Sequence, residues 1–232
     1  PALAELREAQ IDLIASLHEH GLAFDLGDEL MLAEMGAAED GRLRLGSCSY
    51  DTVILPRGTV NFLSSAMPAL EAFVAGGGQL LAETDSVPLI DGRASDRLTK
   101  LLHSSARIHE ERDSLLDALL AAHPPVVKAT SGNLGNLCWR KVSSEDGNSV
   151  LFLCNPFETP LQIEIDLGDK EWVVLHTDHA TKGQTLRGVV TLDFAALDHL
   201  LLVSPSFAEG LPDAPRIDVS ECMPIPLNFV GA

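Results

Sequence analysis

The apolar positions near the start of the chain recur with the period of a helix. Leu6, Leu13 and Leu17 fall on one face of this helix, and Gly21 is placed to end it. Asp28 precedes a second helical run and carries the side chain of an N-terminal cap. The pattern therefore predicts two helices at the start of the chain.

Short continuous apolar runs of strand length follow. Segments 22–26, 52–56 and 79–82 predict buried strands with helices between them. The helix before the last of these strands ends at Gly76–Gly78, where glycine permits a positive φ. Further helical stretches are predicted at 93–104 and 110–122. Because helices alternate with buried strands, residues 1–125 are predicted to form a parallel sheet covered on both faces.

The pattern changes after the proline pair at 124–125. Two strand-like runs flank Asp146–Gly147, which is a hairpin signal, and segment 161–167 alternates strictly between apolar and polar residues. Further strand candidates are 171–177, 188–194 and 199–204. Short strands at this spacing predict an antiparallel β-sandwich over residues 126–205. Residues 206–232 are rich in proline and are predicted to be a linker or a truncated next element.

Charge excludes two classes of partner. The formal net charge is −18, and the acidic residues are spread over both halves of the chain. No basic stripe is present, so binding to nucleic acid or to an anionic membrane surface is not expected. No apolar run approaches the roughly 20 residues that span a bilayer, which predicts a soluble protein.

The cysteines do not have the spacing of a metal site. Cys48, Cys138, Cys154 and Cys222 are far apart, and no C-x-x-C pair occurs. Cys138 and Cys154 fall in apolar strand-like runs, where buried free thiols are expected. The sequence therefore predicts neither a metal ion nor a cofactor.

Two carboxylates are the candidates for catalysis. Glu83 and Asp85 follow the strand at 79–82, and ligands bind outside the carboxyl ends of strands in open parallel sheets. A carboxylate pair could serve as acid and base in sugar hydrolysis. The alternative is that both are solvated loop residues that carry no chemistry.

Other catalytic machinery is missing from the sequence. A nucleophile elbow needs a serine or cysteine in the turn after a buried strand, but the turn at 57–61 contains neither. Cys48 lies before that strand instead. No Gly-x-x-x-x-Gly-Lys or Gly-x-Gly-x-x-Gly phosphate loop occurs either. The chain alone is therefore expected to have no catalytic activity.

The first part of the chain resembles a domain found behind the catalytic barrel in several glycoside hydrolases. The segments GLAFDLGDELML, GRLRLGSCSYDTVILPRGTVNF and MPALEAFVAGGGQLLAETDSVP are similar in order to its amidotransferase-like, flavodoxin-like domain. The family is that of α-L-rhamnosidase-like proteins of the family 106 type, with the β-galactosidase trimerisation domain a more distant relative. The matching residues are Phe24, Asp25, Asp28, Glu29, Tyr50, Leu55, Pro56, Gly77 and Gly78.

The second part of the chain is similar to the β-sandwich that follows in such enzymes. Asn155 closes a strand, and Trp172, Asp178 and Gly183 follow in the family's order. Trp172 lies further from Asp178 than in the family pattern. Together the two resemblances cover most of residues 5–205.

The resemblance implies an ancillary role. The hydrolytic carboxylates of such enzymes belong to a barrel of roughly 250 residues that this chain does not contain. The expected partners are therefore an attached catalytic barrel, a second copy in a homo-oligomer, and carbohydrate through the parent enzyme. The compartment, cytoplasmic or secreted, depends on the parent. The alternatives are a stand-alone amidotransferase-like enzyme or hydrolase, and a carbohydrate-binding module that stacks sugars on aromatic faces.

Overall fold

A computed structural model describes residues 2–144, 146–176 and 180–213. The backbone divides into two compact units, Pro1–Asn136 and Leu137–Ala232. The first unit mixes helices and strands, and the second unit contains strands and turns in its described part. None of the helices in the described ranges is both long and apolar enough to cross a membrane.

The first unit contains all the helices of the described residues. The helices are α1 (Ala2–Glu19), α2 (Glu29–Met35), α3 (Met67–Ala75), α4 (Arg97–Ser105) and α5 (Arg112–Ala122), with a short 3-10 turn at Leu134–Asn136. The strands are β1 (Gly36–Glu39), β2 (Arg42–Leu45), β3 (Cys48–Tyr50), β4 (Thr52–Leu55), β5 (Asn61–Phe62), β6 (Gln79–Ala82), β7 (Leu89–Ile90), β8 (Arg93–Ala94), β9 (Arg107–Ile108) and β10 (Lys128–Ser131).

A parallel sheet lies at the centre of the first unit. Its three strands have the order β4-β6-β9, and both neighbouring pairs are parallel. Side chains of consecutive strand residues point to opposite faces. Leu80 accordingly packs in a cluster with α3 and α4, whereas Leu81 packs in a cluster with α1 and α5. The sheet therefore has helices on both faces, as the alternating pattern predicts.

The strand predicted at 22–26 is wrong, because no strand is assigned to residues 22–28. The N–H of Leu22 donates to the Leu17 carbonyl at the end of α1, at 3.0 Å. The Leu22 side chain is buried among residues of α1 and α5. This apolar segment therefore supplies a side chain to helix packing and does not supply backbone to the sheet.

An antiparallel meander follows α2 and is not predicted by the apolar pattern. It contains three strands in the order β1-β2-β3. Asp40 and Gly41 connect the first two strands with φ values of 49° and 71°, the backbone of a tight hairpin turn. The Asp-Gly dipeptide was the available signal, since these strands contain few large apolar residues.

The end of α3 has the geometry that its glycines predict. The N–H of Gly77 donates to the Val74 carbonyl, and the N–H of Gly78 donates to the Phe73 carbonyl. Gly77 has a φ of +94°. The start of α3 has no capping side chain. Ala66 occupies the cap position without a side-chain hydrogen bond.

We expect the substitution Gly77→Val to lower the free energy of unfolding by about 1–2 kcal/mol, because L-residues resist a left-handed backbone. A Cβ at this position would meet no atom within 4 Å, so crowding does not contribute. Gly27→Val is the control: a Cβ there also meets open space, but no positive φ is involved. Urea unfolding of both variants checks the expectation, and equal losses would contradict it.

The second unit is built from antiparallel strands. These are β11 (Cys138–Ser143), β12 (Ser149–Cys154), β13 (Leu161–Asp166), β14 (Trp172–His176), β15 (Thr181–Leu186), β16 (Val189–Phe194) and β17 (His199–Val203). Five of them form a sheet in the order β11-β12-β17-β14-β15, and β13 pairs with β16. The hairpin predicted around Asp146–Gly147 is confirmed, because β11 and β12 pair on either side of it.

The alternation of apolar and polar residues along β13 gives the strand one buried face and one more exposed face, as predicted. Ile163 and Ile165 are buried, whereas Gln162 between the strand's apolar residues is exposed. Strand β15 is not predicted by the sequence pattern. Asp178 and residues 214–232, which include Cys222, lie outside the described residues.

Candidate functional site

The carboxyl ends of β4, β6 and β9 meet at one edge of the parallel sheet. The N–H of Glu83 donates to the Leu55 carbonyl at 3.0 Å, and the N–H of His109 donates to the Ala82 carbonyl at 2.8 Å. These bonds continue the parallel ladder one residue beyond the strands. Glu83 and His109 therefore lie at the edge where open parallel sheets bind ligands.

Glu83 forms a two-pronged ion pair with Arg112, the first residue of α5. The Arg112 Nε lies 2.5 Å from Glu83 Oε1, and Nη2 lies 3.0 Å from Oε2. The backbone N–H of Arg57 also donates to Oε2, at 3.3 Å. The Glu83 side chain is 0% exposed and that of Arg112 is 21% exposed. Both carboxylate oxygens of Glu83 therefore accept hydrogen bonds from the protein itself.

Asp85 has a different environment from its predicted partner. It is exposed on the loop after β6, whereas Glu83 is buried. In a glycosidase, both carboxyl groups flank the scissile bond of the bound sugar. The burial of Glu83 and its bonds to Arg112 oppose that use. The geometry supports a structural ion pair at Glu83 and a solvated side chain at Asp85.

Sequence reasoning missed Arg112, although one local signal points to it. A cation at the first position of a helix is disfavoured by the helix dipole, so its presence there indicates another partner. The identity of the partner could not be predicted, because Glu83 and Arg112 belong to different elements. Arg57 was missed for the same reason; its guanidinium donates to the backbone carbonyl of Glu110.

The acidic residues near α2 have structural partners. Asp28 caps α2 as predicted, since its Oδ1 accepts the N–H groups of Leu30 at 2.8 Å and Met31 at 3.1 Å. The hydroxyl of Tyr50 donates to Asp25 Oδ2 at 2.9 Å. Burial and the neighbouring Asp25 carboxylate raise the pKa of Tyr50. These contacts join the start of α2 to the end of the meander.

Glu29 lines a hollow of about 340 Å³ beside α2. Its Oε2 accepts the N–H of Leu63 at 2.5 Å. Burial raises the pKa of Glu29 above its ordinary value of 4.5, the Leu63 N–H opposes this, and the carboxylates of Asp28 and Asp91 add to the increase. The hollow is lined by Gly27, Asp28, Glu29, Leu30, Asn61 and Leu63. Its carboxylates can accept hydrogen bonds from hydroxyl groups of a ligand or partner.

We expect Glu29→Gln to stabilise the first unit at neutral pH. A group whose folded pKa is raised contributes its stability below the unfolded pKa and loses it as pH rises through the folded value. The gain in the free energy of unfolding of the variant should thus be absent below pH 4.5 and grow as the pH rises above that value. Gln keeps an oxygen that accepts the Leu63 N–H. Urea midpoints of both proteins across this pH range check the sign, and a constant difference would contradict it.

The described cysteines belong to other strands than those of the parallel sheet. Cys48 is exposed on β3, in the meander and not in the parallel sheet. Cys138 is exposed and Cys154 is half-buried, so the prediction of buried thiols is wrong for Cys138. A second hollow of about 530 Å³ is lined by Ser86, Pro88, Ala94, Ser95, Asp96 and Thr99. Among the described residues, no group of three or more His, Cys, Asp or Glu side chains could hold a metal ion.

The fold of this chain occurs within larger glycoside hydrolases. An exo-carrageenase of family GH42 from Bacteroides ovatus matches 85% of this chain with 26% of its own, at 14% identity and a TM-score of 0.56. A rhamnosidase from Novosphingobium sp. PP1Y matches 81% of this chain with 19% of its own, at 16% identity and a TM-score of 0.55. A β-galactosidase from Bacillus circulans sp. alkalophilus matches 86% of this chain with 37% of its own, at 12% identity and a TM-score of 0.56.

These likenesses establish a shared fold. The chain spans between 19% and 37% of the length of the three solved chains. No protein-family model and no curated protein matches the sequence. The relation to parts of glycoside hydrolases that the sequence motifs predict is therefore confirmed at the level of fold.

Proposed function

We propose that this chain is a non-catalytic, ancillary region of a larger glycoside hydrolase. The observation that carries the proposal is the coverage in the structural comparisons. More than four-fifths of this chain aligns with each of the three glycosidases, yet it accounts for at most 37% of any of them. The hydrolytic carboxylates would then belong to a catalytic barrel attached to this region.

In this proposal, residues 1–125 form a flavodoxin-like, amidotransferase-like domain. Residues 126–205 form the β-sandwich that follows it. The parallel order β4-β6-β9 with helices on both faces supports the first assignment. The antiparallel five-stranded sheet and the β13–β16 pair support the second. The turn after β4, residues 57–61, contains no cysteine or serine that could serve as an amidotransferase nucleophile.

The ion pair at the sheet edge argues against a stand-alone enzyme. A general acid or base must reach the substrate, but the Glu83 side chain is fully buried and paired with Arg112. Asp85 by itself lacks the second carboxylate that sugar hydrolysis requires. Neither residue is assigned a catalytic role in this proposal.

The burial of tryptophan argues against a carbohydrate-binding module. Sugar platforms present an aromatic face to solvent. Trp172 is only 5% exposed, and Trp139 is half-buried in β11. Core packing accounts for Trp172, so the described residues offer no exposed tryptophan platform.

The ancillary region would shape the sugar pocket of the parent enzyme or hold subunits together. The hollow beside α2 supports the first role, because carboxylates such as Glu29 bind hydroxyl groups well. Subunit contact is the second role, and sedimentation of the purified chain tests it: a homo-oligomer would sediment at a multiple of 24.8 kDa.

The experiment that tests the absence of catalysis is an assay of the purified chain against a panel of aryl glycosides, including α-L-rhamnosides and β-galactosides. We expect no turnover above the protein-free blank, and no change with Asp85→Asn or Cys48→Ala. Turnover that disappears in Asp85→Asn while the variant stays folded would overturn the non-catalytic assignment.

A further inference from the structure

Two cysteines face each other across a pair of strands in the second unit. Cys138 of β11 is the register partner of Cys154 of β12. Side chains at directly opposed positions of an antiparallel pair lie on the same face of the sheet. The two thiols are therefore neighbours in space, although the sequence places them in separate strands.

The geometry of this pair fits a disulfide bond. The N–H of Ser144 donates to the Asn148 carbonyl at 2.8 Å, and hydrogen-bonded pairs recur at every second position along an antiparallel ladder. Counting along the register places Cys138 and Cys154 in such a pair, for which the Cα separation is about 5.5 Å. Disulfides bridge Cα separations of about 4.4–6.8 Å, a range that includes this value.

The pair is also accessible to reagents. Cys138 is exposed and Cys154 is half-buried. Partial burial and the neighbouring Cys154 raise the pKa of the Cys138 thiol. The influence of Cys154 is consistent with two close sulfur atoms. The raised pKa keeps most of the Cys138 side chain protonated at neutral pH, so its reaction with a disulfide is expected to be slow.

We propose that Cys138 and Cys154 are a dithiol–disulfide couple that low-molecular-weight disulfides, such as glutathione disulfide, oxidise. The thiolate of Cys138 attacks the reagent disulfide, forms a mixed disulfide and releases one equivalent of the reagent thiol. The thiolate of Cys154 then attacks the Cys138 sulfur and releases the second equivalent. Two protein thiols are oxidised and one reagent disulfide is reduced to two thiols, with the two protein protons taken up by the released thiolates.

The bond would hold an edge strand of the sheet. β11 is the first strand in the order β11-β12-β17-β14-β15, so it pairs with β12 within this sheet. A disulfide to β12 would prevent it from separating, and cross-linking restricts the unfolded chain. Oxidation should therefore raise the melting temperature of the second unit, and this inference does not depend on the proposed function.

The test is oxidation of the reduced, folded chain with glutathione disulfide, followed by alkylation, digestion with trypsin and mass spectrometry. Arg140 and Lys141 lie between the two cysteines, so trypsin separates them into different peptides. We expect a linked peptide pair 129–140 and 142–170, with a mass about 2 Da below the sum of the reduced peptides. We also expect the count of free thiols to fall from 4 to 2.

Three controls make the result specific. The same oxidation in denaturant should scatter the links among all pairings of the four cysteines. Cys48→Ser should leave the 138–154 link intact, and Cys138→Ser should abolish both the link and the rise in melting temperature. The proposal is overturned if the folded chain gives the same distribution of links as the denatured chain, or only separate glutathione adducts at Cys138 and Cys154.

Discussion

Arg112→Leu should lower the free energy of unfolding of the first unit by about 3–5 kcal/mol, the cost of leaving one member of a buried ion pair without its partner. Glu83 keeps a fully buried carboxylate in this variant, with only the Arg57 N–H to satisfy it. The helical far-UV circular dichroism signal reports on this unit, because all described helices lie within it. We expect the urea midpoint of that signal to fall sharply.

The double variant Glu83→Leu/Arg112→Leu is the matched control. Replacing both members of a buried pair with apolar residues is often neutral or stabilising. Arg112 Nη1 is buried and lacks a hydrogen-bond partner in the described part of the chain, so the native pair is not fully compensated. We therefore expect the double variant to recover most of the loss. A single variant as stable as the native chain would contradict a structural role for the pair.

Asn155→Ala should produce the largest loss in the second unit, about 3 kcal/mol, because three buried hydrogen bonds are removed. The Asn155 side chain is 0% exposed. Its Nδ2 donates to the carbonyls of Thr159 and Ala195, both at 2.8 Å, and its Oδ1 accepts the N–H of Phe157 at 3.1 Å. Tryptophan fluorescence measures the effect, since Trp139 and Trp172 both lie in this unit.

The control for this prediction is Gln162→Ala on β13. Gln162 is exposed and donates to Asp193 at 2.6 Å, so its removal leaves no buried group without a partner. We expect a change within about 0.5 kcal/mol, as for most surface substitutions. Similar losses in the two variants would show that burial of Asn155 does not determine its contribution.

The first unit illustrates what an apolar pattern can predict. The strands at Thr52–Leu55 and Gln79–Ala82 are continuous apolar runs between helical segments, and both appear in the parallel sheet. The segment at 22–26 looks similar in sequence but is not a strand. The difference is that the backbone N–H of Leu22 bonds to the last turn of α1. The hydrophobicity of a short apolar run does not determine which backbone groups it will hydrogen-bond.

At the candidate site too, local sequence patterns locate a residue but do not identify the side chain that it contacts. Position after a buried strand placed Glu83 correctly at the carboxyl edge of the sheet. Its pairing with Arg112 depends on the docking of α5 against the sheet, which no local pattern encodes. Asn155 was identified only through the resemblance to the family's β-sandwich, and its three hydrogen bonds give that resemblance a physical reason.

The size of the native polypeptide tests the central claim most directly. An antibody raised against this chain should be used on extracts of the cells that produce it, with the purified chain as a size standard. The ancillary assignment predicts a band far above 24.8 kDa, since a catalytic barrel must be attached. A single band at 24.8 kDa would contradict the assignment.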